Sequence, residues 1–161
     1  MIEILELEIR LDASNNQPVL ILKDSAQPRY LPLWIGQPEA LAIQLQLDEV
    51  EPPRPLTHDL ASQIIANLGG KITSVSITDF IDGVFYATVQ FANHDAVSAR
   101  PSDAIALAMR SDAPIFVAEE VMQAAGLPLE DLGESADEET AAEELERFRE
   151  FLDQIKPEDF S

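Results

Sequence analysis

Cysteine is absent from the 161 residues. Disulfides, thiolate metal sites and cysteine nucleophiles are therefore excluded. Histidine is scarce: His58 and His94 rule out a site that needs three histidines from one chain. Basic residues are few, 10 against 30 acids, for a formal net charge of −20. No apolar run approaches the ~20 residues that span a bilayer, so no membrane role is expected. The first residues, MIEILELEIR, place acids where a secretory leader carries bases. The expected compartment is the cytoplasm. The nucleophile-elbow serine, the zinc-protease histidine pair and the phosphate loop with Gly-Lys-Ser/Thr are all missing.

What is present is enough to fold. Apolar residues make up 46% of the chain and charged ones 25%, ordinary values for a packed domain. The acidity is uneven. Residues 130–161 hold 13 acids and 3 bases, whereas the longer stretch 1–129 holds 17 acids and 7 bases. Nucleic-acid affinity comes largely from Lys and Arg displacing counterions from phosphates. The body's bases (Arg10, Lys23, Arg29, Arg54, Lys71, Arg100, Arg110) form no run. Tight nonspecific binding of DNA or RNA by a lone chain is thus disfavoured, and contact with nucleic acid is expected to be transient.

The pattern predicts α+β: a mixed or antiparallel sheet with packed helices, followed by an acidic C-terminal helix. Strands are expected at 2–11, 19–22, 30–35, 71–80, 84–91, 96–99 and 114–117. Asp82-Gly83 is a hairpin signal, and Pro32 argues for an edge or a bulge. Residues 40–48 alternate like a strand, yet Pro38, Glu39 and the Ala, Leu and Gln content favour a helix. Further helices are expected from Thr57 to Leu68, from the Arg100-Pro101-Ser102-Asp103 start through Met109, and over 119–125. The domain is expected to span 1–127, with a linker at 128–137. An acidic amphipathic helix and tail at 138–161 would carry Leu145, Phe148, Phe151, Leu152 and Ile155 at spacings of three and four. Trp34 is expected in the core.

Two segments echo each other. Arg54-Pro55-Leu56-Thr57-His58-Asp59 and Arg100-Pro101-Ser102-Asp103 each set Arg-Pro, a hydroxyl and an Asp at a helix start. Free N–H groups and an adjacent arginine suit a phosphate or carboxylate there. His58 is placed for proton transfer. The same residues admit a structural account, in which Thr57 and Ser102 cap their helices and the arginines pair with Asp59, Asp103 or Glu39. Asp79 and Asp82 flank the hairpin, where a Mg²⁺ could bind if the turn faced a cleft. His94 reads as a turn residue.

Four strings carry a resemblance: Leu-Pro-Leu-Trp-Ile-Gly-Gln-Pro-Glu-Ala (31–40), Arg-Pro-Leu-Thr-His-Asp-Leu (54–60), Asp-Phe-Ile-Asp-Gly-Val-Phe-Tyr-Ala (79–87) and Ala-Arg-Pro-Ser-Asp-Ala-Ile-Ala-Leu-Ala-Met-Arg (99–110). Pro-Ile-Phe-Val-Ala-Glu-Glu-Val (114–121) follows them. In this order and spacing, from residue 1 to about 127, the chain resembles the bifunctional nuclease domain family of bacteria and plants. The resemblance implies an α+β fold, often dimeric, and cleavage of phosphodiester bonds in DNA and RNA, an activity described for plant members. It supplies no catalytic residues, so the site is inferred from residue chemistry. His58, Asp59, Asp103 and Glu39 are the catalytic candidates. Arg54, Arg100, Ser102 and Thr57 are the phosphate-binding ones. Mg²⁺ or Mn²⁺ would let the carboxylates approach a phosphate, although no ligand set is assigned. The alternative is a non-enzymatic, dimeric binding or regulatory module with a small-anion pocket. An open cleft shared by Arg54, His58, Arg100 and Asp103 favours the enzyme, whereas burial in mutual ion pairs favours the module.

Overall fold

The computed structural model describes residues 1–133. Seven strands and four helices alternate irregularly: β1 (Ile2–Leu11), β2 (Pro18–Asp24), β3 (Arg29–Trp34), α1 (Gln37–Leu47), α2 (Thr57–Asn67), β4 (Ile72–Ile81), β5 (Val84–Phe91), β6 (His94–Ala99), α3 (Pro101–Ser111), β7 (Ile115–Val117) and α4 (Glu119–Ala125). A two-residue strand, β8 (Leu127–Pro128), and a 3-10 turn (Leu129–Leu132) follow. All eight strands belong to one sheet, in the order β6-β5-β4-β7-β1-β2-β3-β8. Two antiparallel meanders, β1-β2-β3 and β4-β5-β6, are thus joined through β7. That strand lies antiparallel to β1 and parallel to β4. The expected mixed sheet is present, and the α+β class holds.

Sequence explains most of these elements locally. Asp82 and Gly83 both take positive φ, 51° and 78°, as a tight two-residue hairpin requires. Pro32 sits in β3 opposite Ile21, while β8 covers only Arg29 and Tyr30 on the other side. Pro32 therefore costs no hydrogen bond on an edge that is open at that point. α1 is a helix despite its alternating leucines. Ala40, Ala42, Ile43 and Leu45 are all buried, because α1 packs on β2 on one side and α3 on another. A helix covered on several sides has no need of a single apolar stripe.

α3 lies over β4 and β5, α4 over β4 and β3, and α2 packs outside α3. One core unites Leu20, Leu22, Leu31, Leu33, Ile43, Val75, Ile77, Val89, Ile105, Val117 and Met122. On the opposite face of β2 and β3, Val19, Ile21 and Tyr30 make a second small cluster beneath Leu132. Pro128 therefore belongs to the sheet, and the turn after it stays packed on the body, with the Leu129 N–H donating to the Pro28 carbonyl at 2.8 Å. The rest of the expected linker, 134–137, and the expected helix at 138–161 lie outside the described residues. No helix among the described residues is long and apolar enough to cross a membrane.

Three local expectations change. Trp34 is not in the core: it is 53% exposed at the end of β3, where its indole Nε1 donates to Asp12 Oδ2 at 3.0 Å. An indole that finds its polar partner on the surface can stay there. His94 opens β6 opposite Phe91, and the turn falls on Asn93, with φ 63°. The apolar stripe of α2 is only partly covered. Ile65 reaches the core, whereas Leu60, Ile64 and Leu68 are 49%, 49% and 82% exposed.

Candidate functional site

The first turns of three helices bring the expected residues together. Glu39 is the third residue of α1, His58 the second of α2, and Asp103 the third of α3, with Arg100 at the α3 N-cap. His58 Nε2 lies 2.8 Å from Asp103 Oδ1. Arg100 Nε donates to Asp103 Oδ2 at 2.7 Å, and Arg100 Nη2 donates to Glu39 Oε1 at 2.9 Å. The result is a chain of four charged or polar side chains, His58–Asp103–Arg100–Glu39. Exposure rises from 14% at the His58 side chain to 29% at Asp103 and 64% at Arg100, then falls to 15% at Glu39. The guanidinium is thus the outermost member, flanked by less exposed side chains.

Electrostatics fit this arrangement. Burial works to raise the Asp103 pKa, but hydrogen bonds from Arg100 and His58 outweigh it and hold the carboxyl below its ordinary 3.8. Asp103 and Glu39 in turn raise the pKa of Arg100. Asp103 is therefore ionised and accepts from both neighbours, and an imidazole beside an ionised carboxylate carries its proton on the shared nitrogen.

The remaining candidates divide. Asp59 does not join the His58–Asp103 pair. Its Oδ1 accepts from Arg110 Nε at 2.6 Å and its Oδ2 from the Leu56 backbone N–H at 3.0 Å. Arg54 is exposed in the connector before α2. The hydroxyls are not caps. Leu56 and Arg100 occupy the N-cap positions, so Thr57 and Ser102 lie one and two residues inside their helices. Thr57 is exposed, whereas Ser102 is only 6% exposed and lies beneath the surface of the site. Proline explains the shift at Arg100, because the residue before Pro101 is held in extended backbone ahead of the first turn.

Two residues that shape the site escape the motif reading. Arg110, with a side chain 6% exposed, ties Asp59 to the Ala42 and Ala106 carbonyls and so locks α2, α1 and α3 together. Its signal was available, since seven residues after Asp103 is the same helical face two turns on. Gly36, the N-cap of α1, lies against Glu39: a Cβ there would be 2.2 Å from Glu39 Oε2. Only glycine lets Glu39 fold back in its observed position.

A divalent ion does not fit these donors as they are arranged. Both Asp103 oxygens and one Glu39 oxygen already accept from Arg100 or His58. Among the described residues no group of three or more His, Asp or Glu side chains is placed to hold a metal. That covers Asp79 and Asp82 as well, which lie exposed at the β4–β5 hairpin.

The fold and this cluster define a class: an acidic α+β protein with a His–Asp pair and an exposed arginine where three helices begin. The chain belongs to the bifunctional nuclease domain family, whose model matches residues 20–130. Over 161 aligned residues it is 49% identical to an uncharacterized protein of Mycobacterium tuberculosis (strain ATCC 25618 / H37Rv), covering 98% of this chain and 97% of that one. The corresponding protein of strain CDC 1551 / Oshkosh gives the same values. Bifunctional nuclease 1 of Oryza sativa subsp. japonica is 25% identical over 117 residues, 69% of this chain but 35% of the rice protein.

Proposed function

We propose that the chain is a nuclease that cleaves phosphodiester bonds, with its centre at His58, Asp103, Arg100 and Glu39. The observation that carries this reading is the 2.8 Å His58–Asp103 contact next to an arginine 64% exposed. His58 is the proton carrier. Asp103 orients its ring and stabilises the imidazolium that forms. Arg100 spends two of its three nitrogens on Asp103 and Glu39, so the rest of its planar fork is available for a phosphate oxygen. Glu39 and Asp59 act as positioning residues, the first on Arg100 and the second, through Arg110, on α2.

The test is cleavage of end-labelled single strands by purified full-length chain. His58→Ala, Asp103→Ala and Arg100→Ala should each lose activity while melting cooperatively. Activity that persists unchanged in all three variants belongs to a contaminant. A second reading is favoured by the mutual ion pairs themselves: a non-enzymatic anion-binding or regulatory module. It predicts a chain that is inert on every nucleic acid and still binds phosphate at Arg100.

We further propose a homodimer. From Leu60 to Gly70 the sequence carries no charge, although the molecule as a whole is strongly acidic. Two copies that each bear −20 repel least where a patch is neutral and apolar, and Leu60, Ile64 and Leu68 form such a patch.

A further inference from the structure

We propose that two copies of this chain join edge to edge: β6 pairs antiparallel with β6 of the second copy, and one sheet runs through both. The inference rests on the homodimer reading above and adds a second contact to it.

β6 ends the strand order, so among the described residues one side of its backbone has no strand partner. Its first five residues are exposed. Proteins normally guard such an edge with charge, proline or a bulge. Here the irregular register is confined to the His94 end, between the Val89 and Phe91 pairings. From Ala96 to Ala99 the strand has neither charge nor proline. Val97 stands opposite Val89 of the core and so shares the face that carries the helices, yet it is 53% exposed.

The strand also complements itself. Asp95 lies near its start, and Arg100 follows its end. Antiparallel pairing sets the start of each copy against the end of the other, so acid approaches base twice in molecules that otherwise repel. A two-fold axis normal to the sheet keeps the helices of both copies on one face. Opposed side chains must share a face, so that axis passes through a residue rather than between two. At Val97 it brings the two exposed valines together and sets Ala96 against Ser98 of the second copy.

The neutral stripe of α2 runs beside the same edge. At the first turn of α2, His58 meets Asp103, just past the end of β6. Beyond its last turn, the Lys71 carbonyl accepts from the Ala92 N–H, just before β6 begins. α2 therefore spans the length of β6, and across the axis the two sets of Leu60, Ile64 and Leu68 approach each other. A six-residue edge is small for a stable dimer, which buries roughly 800 Å² per partner, and the stripe adds apolar area alongside it.

The lack of cysteine makes a direct test available. Full-length wild type, Val97→Cys, Ser98→Cys and Val97→Lys are followed by light scattering and, after mild oxidation, on non-reducing gels. Wild type should be a dimer. Val97→Cys should close a disulfide between copies, because facing residues of an antiparallel pair stand about 4.5–5.5 Å apart at Cα, within disulfide reach. In Ser98→Cys the two thiols are offset along the strands. It should close roughly 100-fold more slowly, the difference between a thiol held at millimolar effective concentration and one met at micromolar. Val97→Lys should be a monomer that still melts cooperatively; if it fails to fold, the two cysteine variants decide. A wild-type dimer in which Val97→Cys closes no faster than Ser98→Cys overturns the β6 pairing and leaves the dimer reading standing on α2. A folded Val97→Lys that dimerises like wild type does the same. A wild-type monomer at every concentration overturns both.

Discussion

Asp103 accepts from an arginine and a histidine at once, and the outcome is a carboxyl held below its ordinary 3.8 despite burial. A depressed folded-state value contributes stability that is complete above the unfolded pKa and lost as pH falls through the folded one. Wild-type protein should therefore lose thermal stability as the pH drops below about 4, and Asp103→Asn should lose less over the same interval. Melting curves recorded from neutral pH downward check this, and parallel slopes for the two proteins would refute it. Gly36 gives a second prediction at this scale. In Gly36→Ala the new methyl displaces the Glu39 carboxyl, the far end of a flexible side chain. Stability should change by less than about 1 kcal/mol. Arg100 loses one of its two anchors, and cleavage should fall on the order of 10-fold to 100-fold through misplacement alone. Equal activity in Gly36→Ala and wild type would show that Glu39 does not position Arg100.

Elements explain what single residues cannot. α2 makes its main helix contacts with α3, and the Arg110–Asp59 pair is the charged clasp between them. Removing the cation from a pair this enclosed leaves an uncompensated acid, so Arg110→Met should cost about 3 kcal/mol. Amide exchange should speed up in α2 before it does in α1 or α3. The outward side of the same helix is the proposed dimer contact. There Ile64→Asp should convert a dimer to a monomer in light scattering without lowering the melting temperature of the fold. A wild-type monomer at every concentration would remove that proposal. Much of this level was legible in the sequence. The hairpin at Asp82-Gly83, the helix at 40–48 and the two Arg-Pro starts all follow from short-range stereochemistry. The meeting of Glu39 with Arg100 across 61 positions does not, since only tertiary packing brings the α1 and α3 starts together. The α3 N-cap falls at Arg100 rather than Ser102 because Pro101 holds the residue before it extended, a restriction stronger than the pull of a capping hydroxyl. Trp34 stays at the surface because Asp12, distant in sequence, supplies the partner its indole N–H needs there, and hydrophobic size alone does not reveal that partner.

At the scale of the whole molecule, charge dominates. Of the seven bases in the described residues, Arg10, Lys23, Arg29, Arg100 and Arg110 are all in ion pairs. A polyanion would have to compete with these carboxylates for the guanidinium and ammonium groups. Binding of single-stranded RNA should be weak and only mildly salt-sensitive, with log K falling against log salt at a slope of about −1, the value for one or two phosphates. A slope near −5 would reveal a basic surface that these pairs do not provide. Residues 134–161 add 11 acids and 3 bases beyond the last described position. Their removal should leave the melting transition of the body intact and tighten RNA binding. A large drop in melting temperature would instead make that segment part of the core. The short strand β7 has a different consequence. Among the described residues its three, 115–117, make the only strand pairing between the two meanders. A ribosome releases the first meander some eighty residues before it releases that bridge. During synthesis the two halves of the sheet must wait unjoined, each showing a bare edge, so chaperone demand should peak just before Val117 emerges.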